Sequence, residues 1–295
     1  MNPMINTAEI ELAKRKLQED PRALIDLQPL PAVAMKVNQA CRDTNVDLRE
    51  LARLVESDPA FAVEILSVVN SSLYGHARQI LSIHQAIVVL GRRSLVQHAL
   101  SIAAKTMFTG VGDVACAKQS LFEHSLAVAS VAVTLVRQGD SKVDLGTVFL
   151  AGIFHDIGKV VLLDVAPCAY SSFMKTPTLK VSSIEFEQNL FGIDHTILGR
   201  YFAESWKLAG SIQQAITGHH LPKGEGIVSP ISESICLANQ LVKAWGIGQT
   251  ELGSISEYAV QWLNNCDEET QQAIRTNGTE NYEECKALFL SLIHI

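Results

Sequence analysis

The sequence predicts an all-α fold of two packed helical lobes, and three observations support this prediction. Apolar residues recur at helical spacing over most of the 295-residue chain. Residues that favour helix starts, such as Asp, Ser and Pro, precede these apolar segments, and glycines follow several of them. Long alternation of apolar and polar residues is missing, and the one notable β-branched run, 159–165, is explained equally well by a helix end. We therefore expect a packed array of about a dozen or more helices.

The first helix signals lie in the N-terminal half of the chain. Asp47 is a predicted N-cap, because Leu51 and Val55 follow it at helical spacing. Asp58 then caps a second helix, and Pro59 occupies its first turn, where the missing N–H of proline costs no hydrogen bond. These signals predict two consecutive helices that are separated by a sharp turn.

A long apolar segment, 121–136, is predicted to be a buried helix. It is apolar almost all round, apart from Glu123, His124 and Ser125 near its start. A helix without a polar face is buried on most sides. We therefore expect His124 to lie in the interior of the protein.

The next expected helix ends in a His-Asp pair. We expect Phe149 to Ile157 to be helical and Gly158 to be the C-terminal stop. His155 and Asp156 would then point about 100° apart. The end of a helix can nevertheless direct both side chains towards one cavity.

Two helices with clear start signals follow. Ser182 and Glu185 form a capping box for a helix that ends near Gly192. Asp194 caps the next helix, which places His195 in its first turn.

The last clear signals lie in the C-terminal third. Ser229 and Pro230 open a helix that is expected to run to Trp245, with Gly246 as its stop. The remaining segment, 254–295, is expected to form C-terminal helices.

Two glycines in the segment 110–113 predict a boundary between the lobes, because they interrupt two apolar helical stretches. Residues before this boundary lack the histidine set described below, and residues after it carry that set. The predicted parts are an N-terminal helical extension (1–20), an N-terminal lobe (21–112), a C-terminal lobe (113–250) and C-terminal helices packed on the second lobe (251–295).

The composition favours a globular protein of the cytoplasm. The chain is 47% hydrophobic and 19% charged, which is enough apolar material for a sizeable core. Its N-terminus has no apolar run typical of a signal peptide, and no uncharged stretch reaches the roughly 18 residues of a membrane span. The six cysteines are scattered without a CxxC pair, so we expect reduced thiols.

The charge gives no sign of a nucleic-acid or membrane partner. The formal net charge is -7 and the pI is about 5.7. A broad basic surface is the usual electrostatic sign of DNA binding or of binding to an anionic membrane. We therefore expect neither DNA nor a membrane as a partner.

The residues with the clearest chemical potential are histidines in the C-terminal half, together with one carboxylate. Neutral imidazoles and carboxylates are natural ligands of divalent metals, and this set can supply one site or two. In order along the chain, the set is His124, His155, Asp156, His195, His219 and His220.

Asp156 and the nearby Lys159 have further possible roles. Asp156 can bridge two ions that activate a water and clamp a phosphoryl group. Lys159 can stabilise charge on phosphate oxygens. Each residue also has a plain structural interpretation: a histidine in an apolar helix is often a hydrogen-bonded core residue, His219-His220 can be an exposed helix end, and a lysine is favoured at a helix C-terminus.

The order of these residues resembles the HD superfamily of metal-dependent phosphohydrolases, and the surrounding sequence resembles its HDOD (HD-related output domain) branch over about 20–248. The matching N-terminal segments are Leu27-Gln28-Pro29-Leu30-Pro31, Asp58-Pro59, Val69-Asn70-Ser71 with Tyr74, and 86–91. The matching C-terminal segments are Glu123-His124-Ser125, 150–158, Gly192-Ile193-Asp194-His195 with Gly199, Trp206-Lys207-Leu208, and Leu237-Ala238-Asn239.

The resemblance implies a partly altered metal site in an HD-like C-terminal lobe. HD hydrolases bind metal through a first His, the His-Asp doublet and a distal Asp, and the related HD-GYP phosphodiesterases add further histidines. The implied ligands are therefore the six residues of the set, with Asn239 at the position of the distal Asp. An amide is a weaker ligand than a carboxylate. His220 is followed by Leu221 rather than Glu, and no Gly-Tyr-Pro follows, which argues against cleavage of cyclic di-GMP.

Three functions remain open at this point. As a class, HDOD domains resemble non-catalytic output modules of bacterial signal transduction, so we expect signalling proteins as partners. The alternative is a metal-dependent phosphohydrolase that acts on a nucleotide or phosphodiester, with Asp156 and Lys159 as catalytic residues. A third interpretation is binding of a nucleotide or cyclic dinucleotide without hydrolysis. If a metal binds, we expect Fe, Mn, Zn or Ni, and we expect no organic cofactor.

Overall fold

A computed structural model describes residues 7–26, 32–43, 45–70, 79–139, 142–175, 182–220, 229–248 and 256–291. The described residues form helices and no strand, which confirms the predicted all-α class. The helices are α1 (Thr7–Glu19), α2 (Pro21–Asp26), α3 (Ala32–Ala40), α4 (Leu48–Glu56), α5 (Pro59–Val69), α6 (Ile83–Met107), α7 (Gly112–Gln138), α8 (Leu145–Phe154), α9 (Gly158–Val165), α10 (Pro167–Met174), α11 (Ser183–Phe191), α12 (His195–Ser205), α13 (Gly210–Gly218), α14 (Pro230–Trp245), α15 (Glu257–Asn264) and α16 (Glu268–Ser291).

The predicted capping residues begin the helices to which they were assigned. The cap side chains of α4, α5, α11, α12 and α14 accept hydrogen bonds from backbone N–H groups of the first helical turn, which otherwise lack partners. The stops of α11 and α14 are also confirmed: Gly192 and Gly246 adopt the left-handed conformation, with φ of 75° and 66°.

The chain forms two compact units. One consists of 1–28 with 108–282, and the other of 29–107 with 283–295. The predicted domain boundaries at 20/21, 112/113 and 250/251 stay predictions.

The smaller unit is built around α6, on which α3, α4 and α5 pack. Asn70 ends α5 and joins it to the segment before α6, because its side chain both donates to the Ile80 carbonyl and accepts from the Ile80 N–H, each at 2.8 Å. Gly91 breaks the helical path of α6 with a φ of 74°. The signature segment 27–31, with Ser71 and Tyr74, lies outside the described residues.

The larger unit has α7 at its centre, packed against α8, α9, α10 and α14. α7 is the one described helix that is long and apolar enough to cross a membrane, but 83% of its most apolar window is buried inside the protein. The core helix of a soluble protein passes the same test. The prediction that His124 enters the interior with this helix is confirmed, since His124 is 6% exposed.

Two glycines allow close helix contacts near the His-Asp doublet. A Cβ on Gly152 of α8 would lie 2.4 Å from the Ala129 Cα of α7, and a Cβ on Gly158 would lie 2.0 Å from the His195 carbonyl oxygen. Only hydrogen can occupy either position. These contacts bring the turn between α8 and α9 against α7 and α12.

The predicted end of the helix before the doublet is wrong. α8 ends at Phe154, residues 155–157 form a turn, and Gly158 begins α9 instead of ending a helix. Glycine is required at this position by the close approach of the α12 backbone, which lies 37 residues further along the chain and leaves no sign in the local sequence.

Candidate metal centre

The larger unit brings the predicted histidines and Asp156 together in one buried cluster. The members come from α7, the α8–α9 turn, the first residue of α12 and the end of α13. We call His124, His155, Asp156, His195, His219 and His220 the His-Asp cluster.

Asp156 lies at the centre of the His-Asp cluster. Its Oδ1 is 3.3 Å from the Nε2 atoms of both His195 and His219. Its Oδ2 is 3.3 Å from His155 Nε2 and 3.7 Å from His124 Nε2. The carboxylate is fully buried, so each of its two oxygens faces a separate pair of imidazoles away from solvent.

Hydrogen bonds fix which nitrogen of two imidazoles carries the proton. His155 Nδ1 lies 2.7 Å from the Gly152 carbonyl, and His219 Nδ1 lies 2.8 Å from the Ile216 carbonyl. A carbonyl can only accept, so Nδ1 is the donor in both rings. In the neutral imidazole, Nε2 then carries a lone pair that is directed towards Asp156.

His195 is held by a carboxylate instead of a carbonyl. Glu187 of α11 accepts hydrogen bonds on Oε2 from the His195 Nδ1–H at 2.6 Å and from the His195 backbone N–H at 2.7 Å. The Tyr170 hydroxyl donates to the other oxygen of Glu187. This buried chain orients the His195 Nε2 lone pair towards the cluster.

The cluster therefore gathers acceptors without enough donors. His195 Nε2 lies 3.3 Å from His219 Nε2 and 3.1 Å from His220 Nε2. His155 Nε2, Asp156 Oδ1 and both ring nitrogens of His124 are buried without a hydrogen-bond partner. Buried polar atoms normally have partners, and converging lone pairs repel each other unless a positive charge lies between them.

The electrostatics favour the neutral form of three of the imidazoles and the ionised form of the carboxylate. Burial lowers the pKa of His219 to about 3 and lowers the pKa values of His124 and His220 well below the usual range. Burial opposes ionisation of Asp156, but the Lys159 ammonium at 2.7 Å and the neighbouring His155 and His219 together outweigh it and hold the pKa of Asp156 well below its usual range. Neutral imidazole and ionised carboxylate are the forms that bind metal.

Two groups of ligand atoms share Asp156. One group is Asp156 with His195, His219 and His220, and the other is Asp156 with His124 and His155; within each group the ligand atoms lie within 4.8 Å of one another. Both groups fit a divalent metal by residue type, because they combine imidazole nitrogen with carboxylate oxygen.

Asn239, the predicted weak ligand, lies on α14, which packs on α7 and α13. It is buried, and its Oδ1 has no hydrogen-bond partner. Its amide oxygen is uncharged, so it adds no negative charge to the site.

Three residues near the cluster were not predicted from the sequence. Glu187 accepts hydrogen bonds from His195, and Tyr170 donates to Glu187. Lys243 of α14 contributes a positive charge that disfavours protonation of His124 and His220. The spacing of Lys243 four residues after Asn239 places both near one face of α14 and could have pointed to it; no local pattern marks Glu187 or Tyr170.

Comparisons with known proteins identify related chains. The family model "HDOD domain" matches residues 27–222. A curated relative named "Uncharacterized protein" from Treponema pallidum (strain Nichols) is 22% identical in an alignment of 228 residues that covers 74% of this chain and 42% of that protein. The chain thus spans less than half the length of that relative.

Solved structures show the same fold. A "Putative metal-dependent phosphohydrolase" from Shewanella amazonensis SB2B is 19% identical with a TM-score of 0.64, over 96% of this chain and 99% of the other. An HDOD domain protein with unknown function from Geobacter sulfurreducens is 21% identical with a TM-score of 0.61, over 97% and 96%. A "Putative signal transduction protein" from Marinobacter aquaeolei VT8 is 20% identical with a TM-score of 0.66, over 98% and 68%.

At these identities the solved structures show the fold alone. The family model, by contrast, matches more than half of the chain and includes every residue of the His-Asp cluster. We conclude that this chain belongs to the HDOD domain family.

Proposed function

We propose that this chain is a bacterial signal-transduction module that holds a divalent metal in the His-Asp cluster and acts through partner proteins. The observation that carries the metal-binding part is the convergence of buried acceptors on Asp156. The Nε2 atoms of His195 and His219 lie 3.3 Å from Oδ1, and that oxygen has no hydrogen-bond donor.

A metal ion accounts for this convergence better than protonation does. Protonation of His219 would supply a donor, but burial lowers its pKa to about 3. A divalent cation satisfies several lone pairs at once and needs the neutral rings that burial favours. An ion held there would supply Lewis acidity towards a phosphoryl oxygen. Fe, Mn, Zn and Ni all suit a nitrogen and oxygen ligand set.

The amide of Asn239 supports a role of the site in metal binding rather than in hydrolysis. In the HD hydrolases that the sequence resembles, the corresponding position is an acid. The amide supplies no charge, so the cluster itself contains one carboxylate, Asp156, and Lys159 already neutralises part of it at 2.7 Å. A site with so little negative charge is poorly equipped to hold the two ions that a binuclear hydrolase uses.

The signalling part of the proposal is supported by family membership and by the similarity to the Marinobacter protein, which is itself named as a signal transduction protein. Signalling proteins are the expected partners. The proposed place of action is the cytoplasm.

Elemental analysis tests the metal-binding part. Protein purified without chelator should contain a divalent metal, and His195→Ala should lose most of it. His84→Ala is the matched control, because His84 is exposed and lies outside the cluster. Absence of metal in the unmodified protein, also after dialysis against Mn²⁺, would contradict the proposal.

Binding experiments test the signalling part. Size-exclusion chromatography and pull-down against signalling proteins of the source bacterium should identify a direct partner, and the binding should be reproduced with both purified components. Failure with every candidate, combined with turnover of a phosphoester, would reverse the preference between binding and catalysis.

The second candidate function is phosphoester hydrolysis, and the position of Lys159 favours it. Its side chain is 11% exposed at the edge of the cluster, where an ammonium can stabilise charge on a phosphoryl oxygen, and Lys243 adds positive charge nearby. In this alternative Asp156 holds the metal and Lys159 contacts the phosphoryl group. A phosphoester screen with Mn²⁺ or Fe²⁺ tests it, and Lys159→Met should abolish any turnover found.

Binding of a nucleotide without hydrolysis would use the same positive charges, those of Lys159 and Lys243. Calorimetry with a nucleotide and with cyclic dinucleotides separates this function from the other two, since it predicts heat of binding without product.

A further inference from the structure

The two oxygens of Asp156 have different surroundings. Oδ1 faces His195 and His219 and has no hydrogen-bond donor. Oδ2 accepts a hydrogen bond from the Lys159 ammonium at 2.7 Å, and it also faces His155 and His124. One side of the carboxylate therefore lacks a cation, and the other side already has one.

We propose that the centre binds one divalent ion, on the Oδ1 side with Asp156, His195, His219 and His220, and that the Lys159 ammonium takes the place of a second ion on the Oδ2 side. This inference rests on the metal-binding function proposed above and specifies its stoichiometry. The second group of ligands, His124 and His155 with Oδ2, becomes a metal position only when Lys159 is removed.

The formal charges of the buried residues support one ion. Asp156 and Glu187 are carboxylates and Lys159 is an ammonium, so the formal charge of these three side chains, with histidine counted as uncharged, is -1. One divalent ion therefore changes the net formal charge of this set from -1 to +1 (-1 + 2), and a second would raise it to +3 (+1 + 2). An uncompensated charge of that size is strongly unfavourable in a buried site.

The fold holds the Lys159 ammonium at Oδ2. Lys159 is the second residue of α9, and its backbone N–H donates to the Asp156 carbonyl at 2.9 Å. Gly158 packs this first turn directly against the His195 backbone. The lysine therefore cannot move far from Asp156 by a shift of its helix, and only its side chain can leave.

The unpartnered nitrogens on the Oδ2 side explain why a second position would open. His155 donates through Nδ1 to Gly152, so its Nε2 lone pair faces Oδ2 at 3.3 Å. His124 Nε2 lies 3.7 Å from the same oxygen and also has no partner. These three atoms form a ligand group, and the ammonium at Oδ2 keeps a metal ion out of it.

Equilibrium dialysis against Mn²⁺, followed by elemental analysis, tests the stoichiometry. We expect one ion per chain in the unmodified protein and two in Lys159→Met, which keeps the length of the side chain without its charge. Lys159→Arg is the matched control and should stay at one ion, because it keeps the charge. His124→Ala added to Lys159→Met should return the count to one. Electron paramagnetic resonance gives an independent readout, since two Mn²⁺ ions bridged by one carboxylate are magnetically coupled.

The outcomes separate this inference from the proposed function. Two ions in the unmodified protein would overturn the inference and leave the metal centre intact. One ion in both the unmodified protein and Lys159→Met would overturn the role of Lys159. No ion in any variant would overturn the metal centre and the inference together. Circular dichroism of each variant identifies one that has failed to fold, and the count in the unmodified protein decides the inference without any variant.

Discussion

Replacement of Glu187 by glutamine tests how the His-Asp cluster is held. Glu187 is fully buried, and its carboxylate accepts two hydrogen bonds from His195 and one from Tyr170. Glutamine has nearly the same shape but no charge. Its carbonyl oxygen can take the place of Oε2 and accept both His195 bonds, while its amide donates to the Tyr170 hydroxyl.

The magnitude follows from the loss of charge on the acceptor. Hydrogen bonds to a charged group contribute about 1.5–3 kcal/mol and neutral ones about 1 kcal/mol. The His195 Nδ1 bond should therefore weaken by about 0.5–2 kcal/mol, and His195 becomes a weaker ligand. The upper part of this range reaches the roughly 10–100-fold loss of metal affinity that is typical when the partner of a ligand histidine is changed.

Isothermal titration with Zn²⁺ measures the effect. Glu187→Gln should bind the metal about 10–100-fold more weakly. Glu185→Gln is the matched control, because Glu185 is exposed on the same helix, and its affinity should be unchanged. Equal affinities of Glu187→Gln and the unmodified protein would show that Glu187 does not tune His195.

Three further predictions concern the packing, pH dependence and capping around the cluster. Gly158→Ala should lower the free energy of unfolding by about 3 kcal/mol or more and weaken metal binding, because the new Cβ would lie 2.0 Å from the His195 carbonyl oxygen. Gly210→Ala, which meets no atom within 4 Å, should be neutral or stabilising by up to about 1 kcal/mol in urea unfolding, and equal effects of the two would contradict the packing argument. In metal-free protein, His219 should make the free energy of unfolding fall as the pH is lowered from about 6.5, the unfolded pKa, to about 3, the folded pKa. The slope is up to about 1.4 kcal/mol per pH unit, because only the unfolded state gains the proton in this window. His219→Gln should make the measured slope shallower, and an unchanged slope would refute this contribution. Asp194→Ala should cost about 1–2 kcal/mol of stability and also weaken Zn²⁺ binding, since Asp194 caps the helix that begins with His195. Asp47→Ala removes the cap of α4 in the smaller unit and should lower stability with no change in Zn²⁺ affinity.

Helix starts could be predicted because capping is local. The side chain of Asp194 accepts from the backbone N–H groups two and three residues later, so both partners are visible in one short stretch of sequence. The same holds for Ser182 and for Asp58. Predictions of this kind depend on a few neighbouring residues and are little affected by the rest of the fold.

The end of α8 could not be predicted because its cause is distant in the sequence. Gly158 is a glycine, the residue type that commonly follows the end of a helix, but here it allows the close approach of the His195 backbone. Glu187 was missed for a similar reason: its partners Tyr170 and His195 lie 17 and 8 residues away and on other helices. A buried glutamate has no sequence pattern that distinguishes it from the exposed Glu185 on the same helix.

The sequence by itself determined the all-α class, the starts of the main helices and membership of the HDOD family, because these depend on residue type and on spacing within short segments. Only the tertiary structure decided that Asp156 presents one oxygen without a donor and one bound to Lys159, and that each of His155, His195 and His219 directs Nε2 towards it. The physical reason is that side-chain orientation and protonation depend on hydrogen-bond partners and burial supplied by separate helices, which come together only when the chain has folded.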